Sequence, residues 1–312
     1  MARARTAFFG SGAFAVPVLD AVVAAPELAL VAVVTAPARP AGRHGAPVTT
    51  PVADRAAALG VPVLCPGRLR EPAFVEELAG LDLAVGVLAD YGRLLPPAVL
   101  DLPPHGILNL HPSLLPRHRG AAPIPAAILA ADRETGVSLF RMDPGMDTGP
   151  LVAAVRTPLG CDDDAPAVER HLAGVAADLI ARSVGPYLRG VLLPRPQPAE
   201  GATVTRPLAR EDGRLDPDRP AEELERRVRA LRPWPGTFVE TPLGRLAVLR
   251  AVTAPGAPGD VPGTIVADGD GIAVATGAGR LRLVEVLPAG GRAMDGPAYR
   301  RGRPAVVGAR VR

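Results

Sequence analysis

Two side chains with chemistry to offer stand two residues apart in an otherwise apolar run, Asn109 and His111 in "GILNLHPS". On a strand, positions i and i+2 share a face, so a carboxamide and an imidazole project together. Pro112, Ser113 and "LLPRHRG" then break regular structure, and further on Asp147 lies in a glycine-rich turn, "PGMDTGP". An amide can donate to a developing oxyanion. An imidazole can move a proton or, once charged, stabilise negative charge. A carboxylate can orient the imidazole or pass a proton on. Singly, such a His reads as structural and such an Asp as a turn former; together they suit direct transfer of an acyl group from a bound carbonyl donor to an amine. Neither a covalent intermediate nor a metal is expected.

Composition narrows the chemistry. The 35 cationic residues are all arginine. Without lysine there is no Schiff base, no pyridoxal-phosphate anchor and no Walker-type phosphate lysine. Cys65 and Cys161 are far apart and fit no zinc or disulfide spacing, which predicts a reducing, cytoplasmic setting. No apolar run is long enough to span a membrane, and no signal peptide is expected. The net charge of +3 is uneven. Residues 1–206 balance at −1 and residues 207–312 at +4, with six Arg against the single acid Asp295 from Arg292 onward. A basic back end suits a polyanion such as RNA; the plainer reading is a solubilising tail.

These residues need a scaffold. Apolar strands alternate with amphipathic stretches through the first 110 residues, in the order "RTAFFG", "AFAVPVLDAVVAA", "LALVAVVT", "TPVADRAAALG", "VPVLC", "PAFVEELAGL", "LDLAVGVLA" and "GILNLHPS". The pattern predicts an α/β fold, a Rossmann-like, mostly parallel sheet flanked by helices. Asn109 and His111 then fall at the carboxyl-end rim, where ligands of such sheets sit. A long helix is expected within 165–190 and an extended linker over 193–209. A short helix "PAEELERRVRAL" leads into a small, OB-like β-barrel. The expected domains are 1–192, the linker 193–209, and 210–312. Gly10-Ser11-Gly12-Ala13-Phe14-Ala15 also fits a dinucleotide fingerprint, but the next strand ends "VAVVTAPAR" without the ribose-binding acid, which weighs against NAD(P).

"NLHPSLLPRHRGAAPI" with "ETGVSLFRMDPGMDTGPL" resembles the folate-dependent formyltransferases. The resemblance extends over nearly the whole chain. "FFGSGAFAVPVLDAV", the loop "ARPAGRHGAPVTTPV", "RPWPGTFVE" and "GRLRLVEVLPAGGRAM" are similar to segments of the branch that acts on tRNA. The resemblance implies 10-formyltetrahydrofolate as donor and the α-amino group of initiator methionyl-tRNA as acceptor. It implies catalytic roles for Asn109, His111 and Asp147. It implies folate contacts from Ser113, Leu114, Leu115, Pro116, Val87, Leu88, Asp90 and Tyr91, and contacts to tRNA or its methionyl group from Phe14, Arg39, Gly42, Arg43, Arg117 and Arg119. It further implies tRNA binding by the C-terminal barrel. A monomer is expected. A sugar-nucleotide amine formyltransferase would share the trio and is the alternative.

Three positions depart from or stand outside that pattern. The loop over 36–51 carries His44-Gly45-Ala46 after Arg43 where relatives commonly carry Gly-Lys-Lys, which implies fewer phosphate contacts. Asp90 occupies a place usually small and apolar; it reads equally as a carboxylate near the folate or a strand-end cap. Trp234 in "RPWPG" is expected to anchor the barrel core rather than to stack on a base.

Overall fold

In a computed structural model, the described residues are 2–311 apart from 41–44 and 46. Gly42 and Arg43 therefore lie outside the described residues. The chain forms two compact units. The first comprises Met1–Pro123, Glu134–Pro158 and Glu169–Thr205, and the second Ile124–Arg133, Leu159–Val168 and Arg206–Arg312. Residues 193–205, expected as linker, thus group with the first unit.

The first unit is built on seven strands. They are β1 (Ala4–Gly10), β2 (Leu28–Val34), β3 (Val63–Leu64), β4 (Val85–Ala89), β5 (Ile107–His111), β6 (Glu134–Arg141) and β7 (Leu151–Pro158). Their order is β7-β6-β5-β4-β1-β2-β3. β1 to β5 pair in parallel; β6 and β7 are antiparallel additions beyond β5. Phe8 and Phe9 of β1, and all of β4 and β5, are buried, which accounts for their near-continuous apolar sequences. One core gathers Ala7, Phe9, Leu88, Tyr91 and Ile107 with Phe74 and Leu78 of a surface helix.

The helices are α1 (Ala15–Ala24), α2 (Pro51–Ala58), α3 (Pro72–Ala79), α4 (Pro97–Leu100), α5 (Pro123–Leu129), α6 (Ala165–Leu188), α7 (Ala221–Ala230) and α8 (Gly296–Gly302). Thr50 caps α2, its hydroxyl accepting from the Ala53 N–H at 3.0 Å, with Pro51 supplying the first helical position. The chain leaves β1 toward β2 on one side and later places β4 on the other. The crevice at the carboxyl ends of β1 and β4 is therefore the topological switch point.

The second unit is built on an antiparallel sheet. Strands β8 (Thr237–Thr241), β9 (Gly244–Ala254), β10 (Ile265–Asp268), β11 (Gly271–Ala275) and β12 (Arg280–Pro288) pair antiparallel in the order β8-β9-β12-β11-β10, and β13 (Met294–Asp295) joins β12. Its core packs Val239, Leu246, Val248, Ile272 and Leu283 against Leu224 and Val228 of α7 and Tyr299 of α8. Trp234 does not anchor this core. It is 52% exposed, because its loop precedes β8 and the aliphatic residues with α7 and α8 already fill the interior.

A short parallel bridge ties the segment after β5 to the stretch read as linker. Arg119 and Gly120 pair with Val204 and Thr205. Gly120 has φ +99°, and a Cβ there would stand 2.3 Å from the Thr205 carbonyl oxygen. Both conditions require glycine. Gly120→Ala should lower unfolding free energy by about 2 kcal/mol or more. Urea denaturation checks this, and a loss below about 0.5 kcal/mol would contradict the packing described.

Candidate active site

The site grows from β5. Asn109 and His111 lie on one face near its end and are 7% and 5% exposed. β6 runs antiparallel beside it and places Ser138 opposite His111. Ser138 fastens the chain that leaves β5: its hydroxyl donates to the Ser113 carbonyl at 2.7 Å and accepts from the Leu115 N–H at 3.0 Å. The Ser113 hydroxyl donates to the Arg117 carbonyl at 2.8 Å. The loop then turns through His118 at φ +57°, whose N–H donates to the Thr203 hydroxyl at 2.8 Å.

That turn brings the His118 carbonyl to 2.9 Å from His111 Nε2. A carbonyl only accepts, so Nε2 carries a proton. On a neutral ring, Nδ1 is then the bare nitrogen, and it faces the Asp147 carboxylate at 3.6 Å. The separation is within ion-pair range but longer than a good hydrogen bond. Burial pushes the His111 pKa below its ordinary 6.5. The Asp147 charge and the His118 carbonyl oppose that shift, while the His118 ring adds to it. Burial prevails, so the ring is neutral near pH 7 and presents a base at Nδ1 with an anion behind it.

Asp147 is held on three sides. Its carboxylate accepts from the Gly120 N–H at 2.7 Å, and its backbone adopts φ +53°. Gln197 donates its amide to both the Asp147 and Gly149 carbonyls at 2.8 Å. The Gln197 oxygen in turn accepts two bonds from the Arg119 guanidinium, at 3.1 and 2.7 Å. Arg119, expected to contact tRNA or its methionyl group, gives its guanidinium to this brace. Asn109 makes no side-chain hydrogen bond among the described residues, which leaves its carboxamide available to a substrate oxygen.

Asp90 occupies the switch point. Its backbone adopts φ +44°, and its carbonyl accepts from the N–H groups of Ser11 and Gly12 at 2.9 and 3.2 Å. Its carboxylate lies over Gly12, where a Cβ would fall 1.7 Å from Oδ2. This glycine therefore serves close approach rather than an unusual φ. The Asp90 side chain keeps solvent contact, yet the surrounding protein pushes its carboxyl above the ordinary range. Glu169 is raised as well, by burial first and then by the Asp90 charge. At the end of β2, where a ribose-binding acid would sit, stands Thr35; its hydroxyl bonds to those of Thr50 and Ser11.

The expected folate contacts divide. Leu114 and Pro116 are half-buried beside His111, and Ser113 and Leu115 are buried in the same loop. Val87, Leu88 and Tyr91 are buried, and Leu88 and Tyr91 belong to the core around Phe9 and Ile107. Phe14 is buried, 3% exposed. Arg39 and Arg117 are exposed. No group of three or more metal-binding side chains occurs among the described residues.

Sequence reasoning missed His118, Ser138, Gln197, Thr203 and Thr205. Ser138, Gln197 and Thr203 bond to backbone groups of segments distant in sequence, and His118 acts through its own carbonyl. The only local signal was the crowding of Pro, Arg and Gly around His118.

The fold and this constellation define a class. Residues 4–184 match the formyl transferase family and residues 207–304 match the formyl transferase C-terminal domain, and the chain belongs to that family. Among its relatives, the methionyl-tRNA formyltransferase of Thermus thermophilus is 46% identical over 308 residues, covering 98% of this chain and 99% of the relative. That of a Roseiflexus species is 45% identical over 299 residues, covering 96% and 92%. A solved N-formyltransferase from Helicobacter canadensis, bound to folinic acid and dTDP-3-aminofucose, shares the fold with a TM-score of 0.68. It is 14% identical and covers 90% of this chain and 99% of its own.

Two outcomes test the site. Gln197→Ala should lower kcat about tenfold with little change in donor KM, since it releases the Asp147 turn without touching substrate; unchanged kcat would remove Gln197 from the architecture. The lowered His111 pKa means that the native state resists a proton the unfolded chain accepts. Its contribution to stability is full above pH 6.5 and is lost as pH falls below it. Wild type should therefore lose more unfolding free energy between pH 7.5 and 5 than His111→Gln, as read by urea denaturation; equal losses would contradict a buried neutral ring.

Proposed function

We propose that the protein transfers the formyl group of 10-formyltetrahydrofolate to the α-amino group of initiator methionyl-tRNA. The observation that carries this reading is full-length identity of 46% to an enzyme of that name. The trio Asn109, His111 and Asp147 agrees with it. The amine nitrogen attacks the formyl carbon, a C–N bond forms and the carbonyl oxygen becomes an oxyanion. Asn109 donates to that oxygen from its free carboxamide. The attacking nitrogen gives its proton to His111 Nδ1, and the Asp147 carboxylate stabilises the imidazolium. The new Nδ1–H supports the oxyanion and then passes to N10 of the folate as the C–N10 bond breaks. Products are formylmethionyl-tRNA and tetrahydrofolate, and His111 returns to neutral.

The loop 113–116 and the turn at Asp90–Tyr91 hold the donor. Phe14, the loop with Arg39, Gly42 and Arg43, and Arg117 meet the acceptor. Residues 210–312 form the tRNA-binding module. The protein acts as a monomer in the cytoplasm.

A formyl-transfer assay with purified initiator methionyl-tRNA and 10-formyltetrahydrofolate tests the reading. Wild type should yield formylmethionyl-tRNA, and His111→Ala and Asp147→Ala should each reduce kcat roughly 100-fold or more. Formylation of an amino-sugar nucleotide with no product on tRNA would overturn the assignment.

A further inference from the structure

The chain's single tryptophan has no place in the core and no role in the site described above. Trp234 leaves 52% of its surface in water, although a side chain this large and apolar ordinarily contributes by burial. Its mount is stiff. Pro233 and Pro235 fix φ on either side, and Gly236, at φ +74°, donates its N–H to the Leu231 carbonyl at 2.9 Å. The Arg210 guanidinium carbon lies 5.9 Å from the ring centroid, within cation–π range.

The charges nearby are of two kinds. Arg206 is neutralised by Asp212 at 2.6 and 2.8 Å, and Arg232 by Asp164 at 3.3 Å. Arg210 is exposed and forms no ion pair among the described residues. A flat π-surface with an unpaired cation beside it is what a single-stranded nucleic acid needs: a face for a base and charge for its phosphates. A protein partner would call for a wider apolar patch, whereas Arg and Pro surround this indole.

We propose that Trp234 and Arg210 form a stacking platform for an unpaired base of the RNA acceptor. The inference rests on the reading that the acceptor is tRNA, and it adds a contact in the all-β unit that ranks RNAs by unpaired bases as well as by charge.

The lone indole makes the test direct. Emission excited at 295 nm is followed as initiator tRNA transcript is added to the full-length protein, and Kd is measured separately by filter binding. Binding should quench Trp234 emission saturably, with a midpoint equal to the filter-binding Kd. A blunt RNA duplex should quench far less. Trp234→Ala should raise Kd and the KM for methionyl-tRNA at least fivefold, with kcat and donor KM unchanged, and Trp234→Phe should stay within twofold. Arg210→Ala reports on the same platform should Trp234→Ala fail to fold. Unchanged emission at saturating tRNA, or less than a fivefold effect in the folded alanine variants, would overturn the platform while wild-type formylation of tRNA continued. Absence of wild-type formylation would instead remove the underlying reading, and with it the RNA partner.

Discussion

The site depends on how Asp147 is held. One carboxylate oxygen meets the Gly120 N–H at 2.7 Å and faces His111 Nδ1 at 3.6 Å. The backbone that carries it is in the left-handed region, a conformation that costs energy in a residue with a side chain. Gln197 offsets that cost by taking up two carbonyls of the turn at once. Because Arg119 grips Gln197, and the chain at Arg119–Gly120 is bridged to Val204–Thr205, the strained turn is secured by a segment some fifty residues away in sequence. Loosening that brace moves a charge relative to a buried imidazole, where electrostatic interactions are strong.

The same arrangement sets the protonation of His111. Burial disfavours the imidazolium, the carboxylate favours it, and the His118 carbonyl fixes which nitrogen keeps its proton. The ring rests neutral yet needs little reorganisation to accept a proton at Nδ1, because the stabilising anion is already in place. Asn109 complements it with a carboxamide that makes no side-chain hydrogen bond among the described residues. Amide and imidazole thus come from one strand, two residues apart, and the facing carboxylate comes from a loop.

Much of this was legible in the sequence, for identifiable reasons. The central strands announce themselves because burial on both faces forces continuous apolar runs. The N-x-H spacing gives a shared face directly, since strand geometry leaves no alternative. Two antiparallel strands beyond β5 were not anticipated; they flank the Pro- and Gly-rich turn around Asp147, which gave no ordering. The brace from Gln197 was illegible, since "LPRPQPAEG" looks like linker and its partners are backbone carbonyls. Trp234 was misplaced because size and apolarity suggest burial, while two flanking prolines and a turn hold it outward.

The central claim is that His111 is held neutral, with its proton on Nε2 and its bare Nδ1 toward Asp147. Nitrogen-15 NMR of the five labelled histidines, with His111 assigned through His111→Gln, reads both tautomer and charge. The account predicts the Nε2–H form at pH 7.5 and conversion to imidazolium below pH 6.5. An Nδ1–H tautomer, or an imidazolium at pH 7.5, would contradict it.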